Sequence, residues 1–163
     1  WSRNASIDLL LRDTGVDAVV CEPDDDELLR AGYPFDACSI CVAMDVTRGS
    51  PTIARSIDLA RAGVVLNADV PTCLELARHA TAPVWLFTQD PERPAVRDHL
   101  RDGGRALVAT QREGAVELVC RSGPERCEIV ASTEFSPTTL AAAAAALAIG
   151  LSADAVREAL ENP

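Results

Sequence analysis

Short β-branched runs alternate with helix-spaced apolar positions along most of the chain. Residues 16–21, 39–44, 63–66, 83–87 and 106–109 are compact apolar stretches bounded by turn residues and read as strands. Between them, 4–12, 52–61, 72–80 and 94–101 carry helical spacing, and three of these have a proline at or just before the first turn, where a missing N–H costs nothing. Strand and helix in alternation is the pattern of a parallel sheet with crossover helices. It predicts an α/β fold, a mostly parallel doubly wound sheet. The rhythm changes after 109: residues 116–121 and 127–131 are two β runs around Gly123-Pro124, most simply an added antiparallel hairpin. An alanine-rich helix follows over 137–149, stopped by Gly150, and Ser152 caps a last helix to Glu161. Small side chains in the alanine helix let its backbone pack close to its neighbour.

The chain has 163 residues, 48% of them apolar, which suits one domain spanning 1–163 with a buried core. Aromatics are only 4%, so that core is aliphatic and alanine-rich. A formal charge of -10 without a basic cluster speaks against nucleic acid as a partner. No apolar run approaches the roughly 20 residues that cross a bilayer, and no leader pattern opens the chain, which gives a cytoplasmic, membrane-free reading. The start at Trp1, without an initiator methionine, reads as a piece of something longer.

All the positive side chains are arginines; there is no lysine. A guanidinium stays protonated, so Schiff-base and amine-nucleophile chemistry is excluded, and so is a phosphate loop that needs its lysine. Among six cysteines, Cys38 and Cys41 form a C-x-x-C, but a regular strand would point them to opposite faces. A structural zinc site needs four ligands. A turn at Gly123-Pro124 would set Cys120 opposite Cys127. Reduced, packed thiols are the expectation for all six. His79 and His99 lie on predicted helices without metal-spaced partners and read as surface residues.

Three segments in fixed order resemble the central ATPase domain of the Mur ligase superfamily, most closely as it occurs in cyanophycin synthetases. The first is Val16-Asp17-Ala18-Val19-Val20-Cys21-Glu22, followed by a turn and then Gly32-Tyr33-Pro34-Phe35-Asp36-Ala37-Cys38. The second is Val64-Val65-Leu66-Asn67-Ala68-Asp69-Val70-Pro71, similar to a strand-end Asn-x-Asp-Asp-Pro signature. The third is Glu134-Phe135-Ser136-Pro137-Thr138-Thr139-Leu140 before the alanines, similar to a helix that opens with His-Asn.

The resemblance implies a metal role for Glu22, as the family's magnesium-holding glutamate, and nucleotide contacts for Asn67 and Asp69. It also exposes departures. The family's glycine-rich turn is replaced by Pro23-Asp24-Asp25-Asp26-Glu27, whose carboxylates would repel phosphate. That acidic run reads either as a divalent-cation collector or as a solvated helix start, the acids favouring the positive end of the dipole. Val70 stands for the second aspartate, while Glu134, Phe135 and Thr138 replace the histidine and asparagines. Neither a histidine after the second predicted strand nor a lysine is present.

The resulting expectation is a degenerate, non-catalytic ligase-like domain of a cyanophycin-synthetase-like protein, a structural or oligomerisation module with no catalytic residue. Its partners would be itself or other domains of the parent protein, and no cofactor is expected. The alternative is the nucleotide-binding part of an ATP-dependent ligase that joins acids to amino acids, in which ATP and magnesium would engage Glu22, Asn67 and Asp69. A small-molecule sensor that keeps the crevice for another ligand is a third reading.

Overall fold

The computed structural model describes residues 7, 9–22, 24–46, 50–112, 115–122, 125–132 and 135–162. Helix α1 (Asp25–Ala31) precedes β1 (Cys38–Ala43), α2 (Pro51–Leu59), β2 (Ala60–Asn67), α3 (Pro71–Leu74) running into a 3-10 turn (Glu75–His79), and β3 (Val84–Thr88). Then come α4 (Pro94–Arg101), β4 (Arg105–Arg112), β5 (Ala115–Ser122), β6 (Glu125–Ser132), α5 (Pro137–Ala148) and α6 (Ala153–Glu161).

The six strands form one sheet in chain order, β1 to β6. β1 to β4 are parallel; β4, β5 and β6 pair antiparallel. The α/β class, the mostly parallel sheet, the crossover helices and the appended hairpin all match the sequence pattern. The hairpin's turn at Gly123-Pro124 lies outside the described residues.

Helices cover both faces of the sheet, as the sequence pattern led one to expect, and the strands follow one another in chain order. Parallel strands added always on the same side, joined by right-handed crossovers, put every crossover helix on one face. Accordingly Ile57 of α2, Leu76 of the 3-10 turn, and Val96 and Leu100 of α4 pack with Val64, Leu66, Leu86, Ala106 and Val108. The second face is closed by helices that follow the hairpin: Leu140, Ala141, Ala143 and Ala144 of α5 and Val156 of α6 pack on Val65, Trp85, Phe87, Leu107 and Leu118. Both faces are thus covered, as in a doubly wound sheet, without a reversal of strand order among the described strands. β2 lies between the two cores, and Val64, Val65 and Leu66 are all 0% exposed, which is why it reads as an unbroken apolar run.

The alanines of α5 do what their size suggests. A Cβ placed on Gly63 of β2 would lie 3.4 Å from Ala148 Cβ and 3.1 Å from Ile40 Cδ1, so helix and sheet meet without room for another methyl. Ser136 accepts from Thr139 N (3.1 Å) and caps this helix, and Pro137 opens it.

One expected strand is absent. Residues 16–21 form no strand; the segment is irregular and Val20 is 99% exposed. β-Branched composition confers strand character only with a paired neighbour, and here β1 pairs with β2 alone. The helix predicted over 4–12 is represented by helical residues at 7 and 9–11 and a turn at 12, while 4–6 and 8 lie outside the described residues. No helix among the described residues is long and apolar enough to cross a membrane.

Candidate functional site

In open α/β sheets, ligands bind outside the carboxyl ends of parallel strands, and here Asn67 ends β2 and Asp69 follows it at that edge. Asn67, only 7% exposed, donates from Nδ2 to the carbonyl of Met44 just beyond β1 (2.9 Å) and accepts at Oδ1 from Asp69 N (2.9 Å). Its amide therefore joins two neighbouring strand ends and folds the next turn onto itself. The Asp69 carboxylate accepts from Thr88 Oγ1 (2.5 Å) and Gln89 N (2.8 Å) at the end of β3. Arg93, just before α4, donates from Nη2 to the Asp69 carbonyl (2.9 Å) and lies 3.4 Å from its Oδ1. Gln89 Nε2 in turn donates to Phe135 O (2.8 Å), tying the crevice to the start of α5. The carboxylate is thus spent on β3 and α4.

Chain order hid these partners. Met44 follows β1, Thr88 ends β3, and Gln89 and Arg93 lie in the connection after it, and only the shared position of Asn67 and Thr88 at the ends of adjacent strands could have pointed to them. Arg93 Nε is buried without a hydrogen-bond partner among the described residues.

Glu22 is elsewhere: exposed, in the irregular segment that was expected to be a strand. The acidic run behind it is a helix start. Asp24 accepts from Glu27 N (2.9 Å) as the N-cap of α1, while Asp25 accepts from Ser50 Oγ (3.1 Å) and Thr52 Oγ1 at the start of α2. Tyr33 continues this clasp by donating its hydroxyl to Thr52 O. Among the described residues no group of three or more His, Cys, Asp or Glu is placed to hold a metal ion.

Val70 occupies the N-cap of α3 and makes no side-chain cap bond. That helix is four residues long before it tightens into the 3-10 turn. Val70→Asp is expected to raise stability by about 0.5 to 1 kcal/mol by supplying the cap acceptor, measured by urea denaturation; an unchanged midpoint would contradict it. In the third segment, Glu134 lies outside the described residues, Phe135 is buried in the α5-side core at 6% exposure, and Thr138 is exposed.

A cleft of about 230 Å³ lies between α2 and the 3-10 turn, lined by Val46, Ser50, Ile53, Thr72, Glu75 and His79 among others. Neither Asn67 nor Asp69 lines it. His79 is half-buried and accepts from Arg78 Nε (3.2 Å), while half-buried His99 places Nε2 3.1 Å from Val84 O. Both are less exposed than their helical positions suggested, and His99 reaches the start of β3.

All six cysteines are free. Contrary to the alternation expected of a regular strand, Cys38 and Cys41 both pack on the α2-side core, next to a register shift between Cys38 and Ile40 that puts one extra residue on β2. Burial, with Cys38 adding to it, pushes the Cys41 thiol up to about 12; burial and then Asp45 push Cys73 up to about 11. Unfolded thiols ionise near 8.5. Between about pH 9 and 12 the unfolded chain therefore loses these protons while the folded one keeps them, so stability is full below that window and falls as pH rises through it. The expected observation is a denaturation midpoint that falls from pH 9 upward, less steeply in Cys41→Ala; parallel slopes in the two proteins would contradict it.

No protein-family model matches the chain. Two curated proteins are similar to it. A cyanophycin synthetase of Synechocystis sp. is 27% identical over 175 residues, covering 92% of this chain and 20% of its own length. A cyanophycin synthetase of Geminocystis herdmanii is 29% identical over 119 residues, covering 63% of this chain and 14% of its own. The chain spans a fifth or less of the length of these curated relatives.

Proposed function

We propose that this chain is a degenerate Mur-ligase-like domain of a cyanophycin-synthetase-like protein, a non-catalytic module that serves structure and assembly. The observation that carries the proposal is the commitment of the strand-end polar groups. Asp69, which would face a nucleotide, uses its carboxylate on Thr88, Gln89 and Arg93, and Asn67 uses both ends of its amide on Met44 and Asp69. Releasing either for a ligand would leave backbone and guanidinium donors unpaired in a largely buried crevice, which is costly. Mg-ATP does not fit the residues as placed: the turn that would meet phosphate is an acidic helix start, and Glu22 is exposed on an irregular segment.

The assembly half of the proposal draws on exposed apolar side chains at the β1 edge and the end of α5, where Val42, Ile149 and Leu151 are 38%, 55% and 50% exposed. β1 also carries neither charge nor proline, the features that usually keep a sheet edge solitary. Sedimentation across a concentration series tests it: mass rising toward a dimer or higher is expected, and a monomer throughout would remove self-association and leave other domains of the parent as partners.

The second reading, a nucleotide-binding part of an amide-bond-forming ligase, is favoured by one observation, the unpartnered Arg93 Nε in the crevice. It requires Mg-ATP to bind with micromolar affinity.

A further inference from the structure

β5 and β6 pair in a register that sets Cys120 directly opposite Cys127. Directly opposed residues of an antiparallel ladder point to the same face with Cα atoms about 4.5 to 5.5 Å apart, inside the span of roughly 4.4 to 6.8 Å that a disulfide bridges. That face is the one covered by α5 and α6: Cys120 packs on this core and pairs across β4 with Leu107. Both thiols are free; Cys127 is exposed and Cys120 half-buried. The other four cysteines lack this arrangement: Cys38 and Cys41 face Ala60 and Val64 across the ladder, Cys73 is buried in α3, and Cys21 lies on an irregular segment.

A cation stands on the neighbouring strand beside the pair. Arg105 of β4 is held with its Cζ 5.4 Å from the Trp85 ring centroid and pairs with Ser122, two residues from Cys120. Burial, with Cys127 adding to it, pushes the Cys120 thiol up, and the Arg105 guanidinium offsets part of that rise. Beyond the pair, Arg157 of α6 donates to the carbonyls of Ile129 (2.5 Å) and Glu128 (3.2 Å), so β6 next to Cys127 is what carries the last helix.

We propose that Cys120 and Cys127 form a reversible dithiol–disulfide latch that fixes β5 to β6 and, through β6, holds α6 on the sheet. With a small disulfide such as oxidised glutathione as the oxidant, the Cys127 thiolate attacks one glutathione sulfur, breaks its S–S bond and expels a glutathione thiolate. The Cys120 thiolate then attacks the Cys127 sulfur of the mixed disulfide and expels the second. Two protein thiols are oxidised to one disulfide, one glutathione disulfide is reduced to two thiols, and the two protons leave with them.

The experiment treats the protein with oxidised glutathione, blocks remaining thiols with iodoacetamide and digests with trypsin. Because Arg121 and Arg126 separate the two cysteines, cleavage there leaves their peptides joined only through the disulfide. The expected result is that linked pair, lower in mass than the two free peptides by two hydrogens, together with a rise in melting temperature that dithiothreitol reverses and that is absent in Cys127→Ser. Cys127→Ser replaces an exposed thiol by a hydroxyl of similar size, so its fold is checked by its unoxidised melting temperature. Both cysteines alkylated, glutathione persisting on Cys127, or a disulfide to any other cysteine would each overturn the latch.

Discussion

Asp69→Ala is expected to lower stability by about 2 to 4 kcal/mol, a large loss for a single residue on a strand-end turn. The carboxylate accepts from Thr88 Oγ1, Gln89 N and the Arg93 guanidinium, and the side chains of Asp69 and Arg93 are only 27% and 32% exposed. Hydrogen bonds to a charged acceptor contribute about 1.5 to 3 kcal/mol each when buried; water reaching this crevice lowers the total. Removal also leaves a partly buried guanidinium without its counter-ion, the costly way to break such a pair. Asp69→Asn keeps the shape and one acceptor and should lose less than half as much. Equilibrium urea denaturation gives both values. A change below about 0.5 kcal/mol in the alanine variant, the level of an ordinary surface substitution, would mean that the network does not hold the strand ends.

Phe87→Ala should cost more, about 3 to 5 kcal/mol. Phe87 is 1% exposed on β3, paired with Asn67 and Leu107, and is among the largest fully buried side chains in the core beneath α5. An alanine there opens a cavity walled by a regular sheet and an alanine-rich helix, neither of which can collapse far into it. Val20→Ala is the informative control. At 99% exposure it should change stability by less than about 0.5 kcal/mol. A loss above 1 kcal/mol at Val20 would mean that residues 16–21 are paired in the sheet after all, and a loss below about 2 kcal/mol at Phe87 would contradict the packing of its face.

Those two positions mark where the sequence could be read and where it could not. β3 and its neighbours were evident because burial on both faces imposes an unbroken apolar run, and the crossover helices because proline or a serine cap marks their starts. Val16 to Cys21 has the same local composition, but a strand is made by a partner, and partner choice is not written in the run itself. The C-x-x-C shows the same limit on a smaller scale. Alternation puts Cys38 and Cys41 on opposite faces, whereas both pack on the α2-side core beside an irregular β1–β2 register. Cys120 and Cys127 were placed correctly because hairpin pairing follows from the turn between them.

For the candidate site, Asn67 and Asp69 were singled out by resemblance to a strand-end signature, which says nothing of their hydrogen-bond partners. The partners are supplied by the ends of β1 and β3 and the connection after β3, and the hydrogen bonds exist only once three strand ends are side by side. The acidic run after Glu22 shows the reverse case. Its local meaning, a capped helix start, was available from Asp24 and the three acids that follow it.

The central claim is that this domain has given its strand-end groups to structure and does not take a nucleotide. Calorimetric titration of the purified domain with Mg-ATP tests it most directly. No heat of binding at millimolar ATP is the predicted result. Micromolar binding that disappears in Glu22→Ala would contradict it and establish the ligase reading instead.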